Sequence, residues 1–171
     1  MDTQSRWLVE PEAGRRVSLG GVGVVFKVPG ELTGGLVSIV EHPVLPGTLV
    51  PPHVHRSEDE LSIVIEGRFG VKIGGDVFEA PAGAYVYKPR GVPHTFWNAT
   101  DEPARLIELI WPAGFERFFD ELATAYEDGH GTPAPERVGE LAERYDCEFL
   151  MDSAPELEAR YGVSLIHKGG R

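Results

Sequence analysis

Residues 51–67 read PPHVHRSEDELSIVIEG, with two histidines and three acidic residues crowded into positions 53–60 ahead of an apolar run. That run, 61–65, has the β-branched, period-two character of a strand. In an extended chain successive side chains alternate, so His53 and His55 project to one side and Val54 to the other. Two imidazoles a few ångströms apart can share a cation, and an acidic residue opening the next strand can add an oxygen. A lone H-x-H is usually a pair of exposed loop histidines. Here Pro51 and Pro52 stiffen the approach and the acids follow at once, which favours a site.

A third imidazole enters from residues 83–98, GAYVYKPRGVPHTFWN, which read as a strand, a Pro/Gly turn and a second strand opened by His94. Three imidazoles and a carboxylate form a mixed nitrogen and oxygen set suited to one divalent transition metal: Fe, Ni, Mn, Cu or Zn. Structural zinc sites favour thiolates, and Cys147 is the only cysteine of the chain. A single cysteine also excludes an intramolecular disulfide, and Cys147 reads as an apolar, half-buried thiol. A site of this composition with room for water or substrate is catalytic in type.

Working outward, residues 21–112 hold short β-rich runs: GVGVVFKV, GLVSIVEHPV, ELSIVIEG, FGVKIGG, AYVYKP, HTFWNAT and ARLIELIW, each bounded by Gly, Pro, Asn or Asp. No helical crossover fits between them, so the core is all-β, an antiparallel sandwich or barrel. Beyond Pro112 the period becomes helical. GFERFFDELATAYEDG sets Phe115, Phe118, Phe119, Leu122 and Tyr126 on one stripe, and further helices are expected over about 135–145 and 154–161. At 171 residues the chain is expected to be one domain, 1–171. A net charge of −11 argues against nucleic acid or an anionic membrane as partner. The start carries no apolar signal region and no stretch is long and apolar enough to span a bilayer, so a cytoplasmic protein is expected.

These residues carry a family resemblance. Residues 47–67, GTLVPPHVHRSEDELSIVIEG, resemble the first cupin motif, G-x5-H-x-H-x3–4-E-x6-G, and residues 83–98 resemble the second, G-x5-P-x-G-x2-H-x3-N, with every fixed position filled. The resemblance implies a double-stranded β-helix, the cupin jelly-roll barrel, over about 20–112, with a C-terminal helical extension over about 113–171. It implies a metal in the lumen held by His53, His55, Glu60 and His94. Glu60 sits at the motif's spacing, leaving Glu58 and Asp59 as solvated rim charges and Asn98 as a turn or strand-end hydrogen-bonding group.

Strand parity from Glu60 puts Ser62 and Val64 on the ligand-bearing face, and parity from His94 adds Phe96. Tyr85, Tyr87, Trp97, Glu41 and Glu108 are further wall candidates, and Ser62, Tyr85 and Phe96 are the expected substrate contacts. An apolar lumen of this kind suits a planar aromatic. The H-x-H-x4-E spacing with a helical extension is similar to bacterial quercetinase-like cupins, implying a metal-dependent dioxygenase that acts with O2 on a small phenolic or enolic molecule, Glu60 taking the substrate's proton. The same barrel also serves isomerases, cyclases and ligand-binding modules, so a non-redox function stands beside it. The helices are expected to cover the barrel's outside or one open end, with a lid as the minority reading. The N-terminal stretch can supply an edge or swapped strand, and a homodimer through barrel strands is an assembly the fold allows.

Overall fold

The structure, a computed structural model, describes residues 7–165. In chain order the elements are β1 (Arg15–Ser18), β2 (Gly23–Val28), β3 (Ser38–Val44), β4 (Thr48–Leu49), β5 (His53–His55), β6 (Asp59–Glu66), β7 (Arg68–Ile73), β8 (Asp76–Pro81), β9 (Tyr85–Lys88), β10 (His94–Asn98), β11 (Ala104–Trp111), α1 (Glu116–Asp128), α2 (Pro135–Arg144), β12 (Cys147–Phe149), α3 (Ala154–Tyr161) and β13 (Ser164–Leu165). One sheet runs β1-β2-β3-β11-β6-β9; the other runs β12-β5-β10-β4-β13, with β7 pairing β10 and β8. Two sheets, antiparallel throughout except for the short β13, enclose a lumen and make the expected jelly roll, and the helices follow the last long strand.

Alternation fixes which side chains enter the lumen. In β6, Glu60, Ser62 and Val64 are buried while Leu61 and Ile63 are half-buried; in β11, Ala104, Leu106, Glu108 and Ile110 are buried. A one-residue slip would turn the whole inward set outward, so burial pins the register. The β10 strand departs from alternation: all five residues of HTFWN are buried. It is covered on both faces, by the lumen on one side and by α3 on the other, where Trp97 packs on Tyr161 with ring centroids 4.5 Å apart. Gly70 of β7 lies under the same indole. A Cβ there would come within 2.1 Å of the Trp97 ring, so only glycine fits.

Several strands were not expected. The β8 segment, DVFEAP, is exposed except at Ala80 and so lacks a buried alternation. The β12 and β13 strands lie within the helical extension, yet β12 pairs with β5 and β13 runs parallel to β4. The extension is therefore woven into the second sheet. The β1 strand is an edge strand paired with β2 of its own chain.

Candidate metal centre

The three histidines and Glu60 converge in the lumen, each offering one ligand atom, all within 4.8 Å of one another. Cross-strand pairing makes this possible: His94 of β10 lies opposite His53 of β5, and His55 follows two residues on. Ring centroids are 4.4 Å apart for His53–His94 and 5.4 Å for His55–His94. Second contacts set the outward-facing nitrogens. Nδ1 of His53 lies 2.7 Å from the Pro51 carbonyl oxygen and Nδ1 of His94 lies 3.0 Å from that of Val92, so each donates there and leaves Nε2 as a lone-pair donor toward the lumen. The buried Nε2 atoms of His55 and His94 have no hydrogen-bond partner. Three imidazoles and a carboxylate with unsatisfied inward nitrogens fit a divalent transition metal, and their softness does not single out one ion.

Burial, then the neighbouring imidazoles, holds His53 well below the usual histidine range, and burial lowers His94 as well, so both stay neutral near pH 7. Glu60 feels a desolvation penalty, but Lys88 and His55 outweigh it and its carboxyl falls well below the usual range. It is ionised.

The residue that sequence reasoning missed is Lys88. It is buried, stands opposite Glu60 in the β6–β9 register, and its Nζ donates to Glu60 Oε2 at 2.8 Å and Glu108 Oε2 at 2.7 Å. Burial opposes its charge, but Glu108 and Glu60 together keep it a firm ammonium. Ser62 Oγ donates to Glu108, 3.1 Å from each carboxylate oxygen. For Glu108 burial wins, and its carboxyl is raised to about 7. In YVYK the two tyrosines resemble the buried set, and only the pairing with β6 reveals that Val86 and Lys88 point inward.

That parity corrects the expectation for Tyr85, which is 70% exposed opposite Ile63 on the outer face and is no part of the lumen. Tyr87 is also outside, stacked on Trp111. Trp97 is buried, but against α3, and Glu41 pairs with Lys27 and Arg105. Phe96 does line the lumen, while the Ser62 hydroxyl is spent on Glu108. Glu58 is not a solvated rim charge. Its side chain is 13% exposed, with Oε2 3.8 Å from His55 Nδ1, and burial raises its carboxyl. Asp59 accepts two guanidinium bonds from Arg90 at the rim. Asn98 bridges the carbonyls of Val44 and Glu102 and receives Thr100, the strand-end role expected of it. His42 also lines the lumen, its Nδ1 on the Gly23 carbonyl, and Cys147 pairs opposite His55 in β12. His167 lies outside the described residues.

The lumen around the centre is aromatic and aliphatic. Phe115 of the β11–α1 connection meets His55 edge-on with centroids 4.2 Å apart, Phe118, Phe119 and Leu122 of α1 follow, and Phe149 closes the side near His53. The space open within is about 70 Å³, room for a few water molecules. Among the described residues no helix is long and apolar enough to cross a membrane.

Two facing sheets with three histidines and a glutamate gathered in the lumen define a small jelly-roll protein with a candidate metal centre. Residues 41–110 match the family model described as a Cupin domain, in line with the two cupin-like motifs of the sequence. It is 24% identical over 160 residues to quercetin 2,3-dioxygenase of Bacillus subtilis, covering 90% of this chain and 47% of the relative. It is 34% identical over 67 residues to the polyketide synthase CurC of Streptomyces cyaneus, covering 39% of this chain and 44% of the relative. The chain thus spans just under half the length of both curated relatives. Among solved structures, KdgF from Halomonas sp. superposes with a TM-score of 0.58 at 16% identity, over 64% of this chain and 96% of that one, a likeness of fold.

Proposed function

We propose that the protein is a metal-dependent cupin enzyme, a dioxygenase that uses O2 on a small phenolic or enolic aromatic, in the manner of flavonol ring opening. The observation that carries this reading is the mixed nitrogen and oxygen cluster at the wall of an aromatic-lined lumen. Similarity to quercetin 2,3-dioxygenase across 90% of the chain supports the choice of chemistry. A divalent metal held by His53, His55, Glu60 and His94 would supply Lewis-acid stabilisation of an ionised substrate oxygen and a route to reaction with O2.

The chain's own residues do the rest. Glu60, held ionised, accepts the substrate's hydroxyl proton. Phe96 and Phe115 give the ring an apolar surface and exclude water. Because the open space is small, an aromatic of flavonol size enters only when the phenylalanines contributed by α1 shift. Small-molecule substrate and O2 are the partners required; a cytoplasmic location and a homodimer complete the proposal.

The test is O2 uptake by the metal-loaded protein against a panel of flavonols. In Glu60→Gln an oxygen remains for the metal but the basicity is gone. Metal content should stay substantial while turnover falls about a hundredfold or more. Near-normal turnover in that metal-loaded variant would leave Glu60 as a ligand alone.

A second reading, a non-redox isomerase or cyclase or a binding module, is favoured by the buried Lys88–Glu108 pair, which places proton-transfer groups on the lumen wall. Oxygen-free assay separates the readings. A dioxygenase stops, an isomerase or cyclase continues, and a binding module turns nothing over.

A further inference from the structure

We propose that Lys88 is a positioning residue of the candidate metal centre: its ammonium occupies one oxygen of Glu60, Oε2, so that Glu60 serves a bound cation through Oε1 alone. The inference rests on reading the His53, His55, Glu60 and His94 cluster as a metal site. It goes beyond that reading because the four candidate ligands do not themselves say how many oxygens Glu60 gives.

The geometry leaves both oxygens within reach of the imidazoles. Oε1 lies 3.3 Å from His55 Nε2 and Oε2 lies 3.3 Å from His94 Nε2. A carboxylate in that position can chelate a cation with both. Lys88 weighs against Oε2, since its Nζ is 2.8 Å from that oxygen and a second cation bound there would face the ammonium's like charge at close range in a buried site.

The ammonium is also unable to yield. Its other carboxylate partner, Glu108, holds it at 2.7 Å from the far side, and Glu108 is in turn fixed by Ser62. Glu60 and Lys88 are paired residues of β6 and β9, Ser62 and Glu108 of β6 and β11, so three neighbouring strands hold the chain of contacts in register. On the lumen side the Phe96 ring, its centroid 5.5 Å from Nζ, is apolar and offers the ammonium no counter-charge. A second-sphere cation thus sets the denticity of a first-sphere carboxylate, as outer contacts elsewhere orient metal ligands.

The experiment is Co(II) substitution of the full chain, read by visible absorption and metal stoichiometry, on wild type, Lys88→Met and the double variant Lys88→Met/Glu108→Gln. Methionine matches the length of lysine without its charge. The double variant also removes the carboxylate that Lys88→Met leaves uncompensated, so it keeps the question answerable if the single variant folds poorly. In wild type, single-oxygen coordination should give the stronger absorption of a low-coordinate Co(II). In both variants the freed Oε2 should join the cation, raise its coordination number, and lower the absorption several-fold with a shift of the bands, at unchanged stoichiometry. Variants with the wild-type Co(II) spectrum would overturn the role of Lys88, because a purely structural lysine would alter stability and leave the spectrum as it was. Failure of wild type itself to take up Co(II) would overturn the metal reading and this inference with it, an outcome distinct from the first.

Discussion

His42 lies in the lumen but in neither motif, and its surroundings make a prediction about pH. Burial pushes its imidazole down to about 4, with the Gly23 carbonyl and Glu60 opposing and Lys88 adding to the shift. The unfolded chain takes up a proton here near 6.5 and the folded chain only near 4, so folding stability falls as pH drops through that window and is fully present above it. The contribution at its limit is about 3 kcal/mol. Glu108, raised to about 7, acts in the other direction, losing stability as pH rises from the usual carboxylate range toward 7. A difference experiment isolates the histidine: His42→Leu should show a shallower loss of urea midpoint between pH 6.5 and 4 than wild type. Parallel profiles would refute the assignment. At the centre, His53→Ala, His55→Ala or His94→Ala should each lower metal content sharply, while His42→Ala and His130→Ala keep it, as elemental analysis would report. The four candidate ligands were legible from motif spacing and strand parity. Lys88 was not, because its partner is set by the register between β6 and β9, which no local pattern encodes, and Glu58 looked exposed because its cover, near Asp146, comes from a distant segment.

The α1 helix and the segment after it form one wall of the lumen. Phe115, Phe118, Leu122, Ala123 and Tyr126 are buried in the same cluster as Val24, Val40 and Ile110 of the first sheet and Leu141 of α2. Beyond that cluster, β12 covers the edge of β5, which carries His53 and His55, and β13 covers β4. Truncation after Gly114 would therefore strip two strands and most of an apolar cluster and leave β5 an open edge. The expected outcome is aggregated or unfolded protein, and a soluble, metal-loaded barrel would restore the idea of a detachable lid. Within the intact chain Phe118→Ala should cost about 3 kcal/mol or more, the usual scale for an emptied phenylalanine site, checked by chemical denaturation. The helix bounds were legible because 3.6-residue periodicity and the Pro and Gly punctuation are local: α3 falls where expected and α2 ends one residue early. The β12 and β13 strands have only three and two residues, too few to show any period, and exist because a neighbouring strand offers its edge.

At the scale of the whole molecule the apolar packing leads to the expectation that the barrel folds without a metal. Among the described residues three apolar clusters make up the interior: one between the first sheet and the helices, one within the barrel around Phe69 and Phe96, and one under Trp97 against α3. The candidate centre lies between them and carries little unbalanced charge by itself, since His53 and His94 are held neutral and Glu60 is matched by Lys88. This differs from small zinc domains, where the metal supplies the folding energy and chelation unfolds the chain. Chelated protein should keep its far-ultraviolet circular dichroism and a cooperative thermal transition. Because a cation binds the folded form alone, free metal at a hundred times its dissociation constant adds about 2.7 kcal/mol, which for a chain of this size raises the melting temperature by roughly 5–10 °C. In Lys88→Met the same addition should raise it further, because the metal then also neutralises a carboxylate that no lysine matches. Loss of the dichroism signal on chelation of wild type would show that the ligand cluster holds the barrel together, and that the Lys88–Glu60 pair does not balance the site in the metal's absence.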